Sequence, residues 1–287
     1  MARIAIVGGG NMGEALLAGL LRAGRATKDL VVAEKSAERA EYLSKTYSVR
    51  VCPVAPAVEN ASFVILAVKP ADVEPVVAEI AEAAAQAQGN AAEQVLISVL
   101  AGVGTAFYES RLPAGFPVIR VMPNAPALVG AGVSALACGR FATAEQLADA
   151  AALFESVGGS LTVPESQLDA VTAVSGSGPA YFFLFVEALV DAAVATGLSR
   201  PVATDLVVQT MAGSAAMLLD RLPGAIDGTA TGQPDTTAAQ LRAIVTSPGG
   251  TTAAGLRELE TAGLRAAVAA AVEAAKTRSE QLGITPE

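Results

Sequence analysis

The chain has 287 residues, 52% of them hydrophobic and 16% charged, which is material for about two domains and excludes a disordered or low-complexity protein. A formal net charge of −9 argues against affinity for nucleic acid or an anionic membrane. With no histidine and only two cysteines, Cys52 and Cys138, a Ser-His-Asp or Cys-His mechanism, a histidine-ligated zinc site and a disulfide framework are excluded. No metal site is expected, and a reducing cytoplasm is the expected compartment.

Met1-Ala2-Arg3 leads straight into an Ile- and Val-rich run at 3–7, so no secretory signal is expected. Residues 12–23 carry apolar side chains at helical spacing. Apolar runs at 30–33, 49–52, 63–68, 94–99 and 117–121 then alternate with helical stretches at 36–45 and 72–86. That alternation predicts a parallel sheet covered on both faces. Runs at 133–138 and 160–163, on either side of a helix at 144–155, would extend it. The charge-free run between Arg120 and Arg140 is long enough to span a bilayer. Pro123, Asn124, Pro126, Gly130 and Gly132 break it, so no membrane segment is expected there.

Beyond Pro164 the chain becomes Ala- and Leu-rich, with helical periodicity at 181–195, 201–219, 238–245, 252–260 and 264–281. The expected architecture is therefore an α/β N-terminal Rossmann domain over 1–163, doubly wound with a mostly parallel sheet, and an all-α C-terminal domain over 164–287. Tyr181-Phe182-Phe183-Leu184-Phe185-Val186 is apolar around most of a helix and must be buried. A domain of roughly 120 residues is small for hiding several such helices, which points to burial against a second copy.

Three glycine-rich turns are each expected to open a helix. Gly8-Gly9-Gly10-Asn11-Met12-Gly13 satisfies G-x-G-x-x-G between the first strand and the first helix, the context in which that pattern reads as dinucleotide binding. Glu34 stands at the end of the second strand, where a carboxylate hydrogen-bonds a ribose 2′-hydroxyl and favours NAD. Lys35, Ser36 and Arg39 follow and could equally hold a 2′-phosphate, or all four simply start a solvated helix. Ala67-Val68-Lys69-Pro70 ends another strand and should border the coenzyme. There Lys69 is either a ligand of phosphate, ribose or substrate, or a surface lysine. Asn124, between Pro123 and Pro126, is either an Asn turn or a partner for a carboxamide such as nicotinamide.

The other two turns, Ser175-Gly176-Ser177-Gly178-Pro179 and Ser247-Pro248-Gly249-Gly250-Thr251-Thr252, offer amides and hydroxyls at helix N-termini, suited to a carboxylate or to plain capping. Taken together, these residues predict a nicotinamide-dependent oxidoreductase acting on a small carboxylate.

In this order the motifs closely resemble the pyrroline-5-carboxylate reductase family, over essentially the whole chain. The resemblance implies reduction of 1-pyrroline-5-carboxylate to L-proline with NADPH, NADH being the other candidate. It also implies a helical dimerisation domain, and dimers that assemble further into decamers. Carried over, Gly8, Gly9, Gly10, Asn11, Met12 and Gly13 hold the pyrophosphate, while Glu34, Lys35 and Ser36 surround the adenosine ribose. Ala67, Val68, Lys69, Pro70 and Asn124 line the nicotinamide side. Ser175, Gly176, Ser177, Gly178, Ser247, Gly249, Gly250, Thr251 and Thr252 form the substrate pocket, with Thr252 at the ring nitrogen and, with Lys69, in the catalytic set.

Two departures stand out. Thr237-Ala238 replaces a His-Pro common in the family, and Glu34-Lys35-Ser36 replaces a common Arg, which makes 2′-phosphate discrimination modest. A β-hydroxyacid dehydrogenase or imine reductase of the same architecture is the runner-up. Its catalytic lysine would lie in the helical domain, and no lysine occurs between Lys69 and Lys276. A non-catalytic redox sensor is the third reading, disfavoured by the intact turn at 247–252.

Overall fold

A computed structural model describes residues 3–86, 94–221 and 237–283; Met1 and Ala2 lie outside them. The chain divides into two compact units, one running to Gly176 and including Ala275 onward, the other Ser177–Ala274.

The first unit is built on eight strands: β1 (Ile4–Val7), β2 (Leu30–Ala33), β3 (Arg50–Cys52), β4 (Phe63–Leu66), β5 (Val95–Ser98), β6 (Val118–Met122), β7 (Gly132–Cys138) and β8 (Gly158–Thr162). Their order is β3-β2-β1-β4-β5-β6-β7-β8. The first six are parallel, β7 runs antiparallel to β6, and β8 runs parallel to β7. The 3-2-1-4-5-6 portion is the Rossmann order, and the two added strands extend it as expected.

Strands β1, β2, β4 and β5 are buried along their whole length, which is why they read as unbroken apolar runs rather than alternating ones. Alternate residues serve opposite faces. Ile4 and Ile6 join Leu16, Leu20 and Phe154 on one side. Ala5 and Val7 join Val77, Ile80 and Phe107 on the other. Each fully buried Leu, Ile or Phe contributes about 1.5–3 kcal/mol relative to exposure. The covering helices are α1 (Asn11–Arg22), α2 (Ala37–Tyr47), α3 (Val54–Val58), α4 (Val73–Gln86), α5 (Thr105–Glu109) and α6 (Ala144–Phe154). Of these α3 and α5 were not expected, being one-turn helices too short to show a period.

The helix α7 (Leu168–Val171) is tied to the sheet by Arg120 of β6, whose side chain is only 7% exposed. Its guanidinium lies 3.7 Å from both Glu165 and Asp169. Glu165 also accepts from the N–H and hydroxyl of Thr105 at 2.7 Å each. Asp169 accepts from Ser279 Oγ at 2.7 Å, which fastens the end of the last helix to the same unit.

The second unit holds α8 (Gly178–Ala195), α9 (Arg200–Leu219), α10 (Thr237–Ile244), α11 (Thr251–Thr261) and most of α12 (Leu264–Leu282). Helices α8 and α9 pack on each other, yet in α8 only Gly178 and Val190 are buried and in α9 only Ala203. By length and composition alone, Glu165–Ala195 and Arg200–Leu219 are long and apolar enough to cross a membrane. Nothing in their sequence separates that from an apolar face that a second protein chain covers.

Candidate active site

The parallel register brings the ends of β1, β2 and β4 level, since Val7 pairs with both Ala33 and Leu66. Gly8, Glu34 and Ala67 therefore follow side by side, at the point where the strand order reverses. Gly8 donates to the Ala33 carbonyl at 2.8 Å, and Ala67 donates to the Val7 carbonyl at 2.8 Å. Gly8 has φ +104°, and a Cβ there would lie 2.6 Å from the Ala67 carbonyl oxygen. A Cβ on Gly13 would lie 2.0 Å from the Gly8 carbonyl oxygen, so helix and turn touch backbone to backbone.

Gly10 differs. A Cβ there would meet nothing within 4 Å, and Gly10 is the N-cap of α1, with no side chain capping the first turn. Packing within the unit gives no reason for a glycine at 10. A bound group approaching the helix amides does, and a pyrophosphate fits that cradle. By contrast α2 is capped by Ser36, and α6 carries a complete Thr143/Gln146 capping box.

Glu34 accepts from the Gly9 N–H at 2.9 Å and from the Ser36 N–H at 2.8 Å. Lys35 is 78% exposed and pairs with Asp72 at 2.7 Å, a surface contact worth at most about 1 kcal/mol. Arg39 is engaged by the glycine turn and by α1. Its Nε donates to the Gly9 carbonyl at 2.6 Å and its Nη2 donates to Glu14. Glu14 also accepts from Tyr47 at 2.8 Å and Tyr42 at 3.0 Å. Burial pushes the Glu14 carboxyl up, but these hydrogen bonds outweigh it and hold it below the usual carboxylate range. Burial, then the Glu14 carboxylate, pushes Tyr47 up to about 12. Sequence reasoning missed Glu14, Tyr42 and Tyr47. An acidic residue in the first turn of a helix opened by a G-x-G-x-x-G turn was the available signal, because an anion site there would need it neutralised.

The Lys69 side chain is exposed beside Pro70 and makes no hydrogen bond or ion pair among the described residues, while its carbonyl accepts from the Asp72 N–H at 2.9 Å; Val68 packs against the core. Asn124 is half-buried. Its Oδ1 accepts from the Val133 N–H at 2.9 Å and its Nδ2 donates to Ser175 Oγ at 3.2 Å, leaving one N–H for a carboxamide.

Ser175 lies in a π-helical turn, Thr172–Gly176, rather than in the expected glycine loop. A Cβ on Gly176 would be 2.6 Å from Met122 Cε, so the segment winds tightly against the end of β6. Turns of this kind recur at functional sites. Ser177 is itself helical (φ −83°, ψ −23°) and does not cap α8, which begins at Gly178 with Pro179 in its first turn, the place a proline suits. The expected free N-terminus at this place is thus a helical bulge.

Within the second unit, Ser247-Pro248-Gly249-Gly250 closes a turn through Gly250 N–H to Ser247 C=O at 3.0 Å, with Gly249 at φ +69°. Proline second and a positive-φ glycine third is the type II pattern. Gly250 is the N-cap of α11, again with no side-chain cap, and Thr251 and Thr252 are exposed. The first-turn amides lack a side-chain cap, and two exposed threonines stand beside them. Among the described residues no cluster of His, Cys, Asp and Glu could hold a metal.

Comparison with known proteins adds two family models, a relative and two solved structures. The family model for pyrroline-5-carboxylate reductase dimerisation matches residues 165–282, and a model described as NADP oxidoreductase, coenzyme F420-dependent, matches 3–102. The chain is 68% identical to the pyrroline-5-carboxylate reductase of Mycobacterium tuberculosis, covering 100% of this chain and 99% of that protein. Its structure resembles a pyrroline-5-carboxylate reductase from Coxiella burnetii (TM-score 0.87, 32% identity, 99% of each chain). It also resembles the pyrroline carboxylate reductase of Plasmodium falciparum solved with NADP bound (TM-score 0.81, 29% identity, 99% of this chain and 98% of that one).

Proposed function

The chain belongs to the pyrroline-5-carboxylate reductase family, and from that premise we propose which of its residues carry the reaction. The enzyme reduces the cyclic imine of 1-pyrroline-5-carboxylate to L-proline, the last step of proline synthesis, and its helical domain mediates self-association. The hydroxyacid dehydrogenase, imine reductase and sensor readings are not favoured.

The observation that carries the assignment is a pair of helix N-termini, α1 at Gly10 and α11 at Gly250, each opened by glycine and capped by no side chain. The first, with Gly8, Gly9, Asn11, Met12 and Gly13, would hold the coenzyme pyrophosphate. The second would hold the substrate carboxylate through its amides and the Ser247 and Thr251 hydroxyls. When bound, the coenzyme supplies the hydride.

A protonated imine is already electrophilic, so the protein's task is orientation, worth about 7–11 kcal/mol at the upper end. The Thr252 hydroxyl oxygen accepts from the iminium N–H and fixes the ring. An unperturbed hydroxyl is too weak an acid to supply the proton, and we assign that to water. Lys69 places a positive charge beyond β4, for the coenzyme or the carboxylate. Asn124 aligns Ser175 and keeps one N–H for the nicotinamide, and Ser177 and Gly178 are assigned to the substrate.

Both coenzymes are accepted under this reading, with NADPH the donor assigned and NADH close behind. Glu34 suits a ribose hydroxyl, and Lys35, in a weak surface pair, can swing to a 2′-phosphate only as a point charge. The assembly is a homodimer able to build a decamer, located in the cytoplasm, where the free Cys52 and Cys138 stay reduced. The functional division is a dinucleotide domain over 1–163 and a substrate and dimerisation domain over 164–287.

The test is oxidation of NADPH and NADH, side by side, with 1-pyrroline-5-carboxylate as acceptor. Turnover with both, at kcat/KM ratios within roughly ten-fold, is expected, a gap of about 1.4 kcal/mol. Absence of turnover with both would defeat the assignment.

A further inference from the structure

Gly9 is held on both sides of its residue by groups of opposite charge. Its N–H donates to the Glu34 carboxylate at 2.9 Å, and its carbonyl accepts from Arg39 Nε at 2.6 Å. The same guanidinium donates to Glu14 and stacks 4.9 Å from the centroid of the Tyr42 ring, with the Arg39 side chain 29% exposed. Glu14 sits in the first turn of α1, where its negative charge would repel any anion drawn to the uncapped amides. Arg39 removes that repulsion and, through the Gly9 carbonyl, holds the turn in shape before any ligand arrives.

We propose that Arg39 is a positioning residue for coenzyme binding that acts through Gly9 and Glu14 and does not read the ribose 2′-phosphate. This rests on the turn at Gly8–Gly13 being the pyrophosphate site. Position along the chain, one helical turn beyond Lys35 and Ser36, allows a different role, that of a 2′-phosphate ligand. The two roles make opposite forecasts. A clamp under the shared pyrophosphate affects NADPH and NADH alike, whereas a 2′-phosphate ligand affects NADPH alone.

The experiment compares Arg39→Met and Arg39→Lys with the natural enzyme. Fluorescence titration gives Kd for NADPH and NADH, steady-state assays give KM and kcat with each, and a thermal melt follows the fold. Arg39→Met should raise both Kd values by the same factor, about ten-fold or more, because charge-assisted hydrogen bonds are lost. The kcat at saturating coenzyme should fall far less than KM rises, a split that a general loss of structure does not produce. Arg39→Lys should lie between, since it restores a cation beside Glu14 without the guanidinium fork.

Adding Glu14→Gln to Arg39→Met should recover part of the affinity for both coenzymes, because the uncompensated anion is gone. This double variant also decides the matter if Arg39→Met alone melts early. A loss confined to NADPH would overturn the proposal, and so would unchanged Kd values for both. Failure of the natural enzyme to bind either coenzyme would instead defeat the underlying site assignment.

Discussion

The two units handle apolar side chains in opposite ways. In the sheet unit, Ile4, Ile6, Val64 and Ile65 are fully buried, and Glu34 and Asn124, which follow β2 and β6, are engaged by neighbours of the same unit. In the helical unit, the most apolar helix leaves Phe182, Phe183 and Leu184 58%, 67% and 65% exposed. Apolar burial is non-directional and indifferent to which chain supplies the partner surface. A single chain can complete the first core, whereas the second needs another copy, in line with the dimerisation family model over 165–282. The difference teaches that the glycine turn proposed for the coenzyme rests on a self-sufficient scaffold, while the turn proposed for the substrate belongs to an element whose apolar faces call for association.

The harshest way to break this contrast is a charge on α8. Phe183→Glu with Leu184→Glu should abolish the dimer in sedimentation and lower reductase activity by at least about a hundred-fold, because an unpaired charge in an apolar interface costs several kcal/mol. Coenzyme titration should still report binding to the sheet unit. A variant that stayed dimeric and active would show that these side chains face something other than a partner.

Next in size is Thr252→Ala, expected to lower kcat/KM for 1-pyrroline-5-carboxylate by one to a few powers of ten, about 1.4 kcal/mol for each. Coenzyme affinity should hold, since Thr252 is assigned to the ring nitrogen and not to the coenzyme. Unchanged kinetics would remove it from the mechanism.

Within the coenzyme turn, two glycines separate scaffold from site. Gly13→Ala places a Cβ 2.0 Å from the Gly8 carbonyl and should cost about 1–3 kcal/mol of stability, seen as a lower Tm. Gly10→Ala meets nothing within 4 Å and should leave Tm nearly unchanged while raising the coenzyme KM by roughly ten-fold, the cost of an obstructed phosphate cradle. Equal Tm losses would mean that Gly10 also serves packing.

Glu34→Ala carries the smallest effect, a few-fold shift of the kcat/KM ratio toward NADPH. Because Glu34 also holds the Gly9 and Ser36 amides, both absolute affinities should fall, and the ratio is the readout. A ratio that stays put would show that Glu34 shapes the turn without reading the ribose.

Much of the fold was legible because local pattern and tertiary fate agree. Four strands buried on both faces appear as unbroken Ile/Val/Leu runs, and the glycine turn between β1 and α1 states its own geometry. The turn at 247–252 was legible for the same reason, since Pro248 and Gly249 dictate a type II turn and leave α11 without a side-chain cap. The segment 172–176 was not, because its glycine and serines suggest a loop and only the contact with Met122 and the Asn124–Ser175 hydrogen bond turn it into a π-helical bulge. Arg39 was ambiguous for a similar reason. Its position suits a 2′-phosphate, but its partners Glu14 and the Gly9 carbonyl lie 25 and 30 residues away.

By itself the sequence determined the alternation of strands and helices, the places where backbone amides are left uncapped, the absence of histidine chemistry and the apolar surplus of the helical half. These follow from short-range rules of periodicity, turn chemistry and composition. Only the tertiary structure decided which polar and charged groups face one another: Arg39 under the glycine turn, Arg120 between Glu165 and Asp169, and Asn124 on Ser175. A partly buried polar side chain must find a partner, and chain spacing does not say which one it will meet.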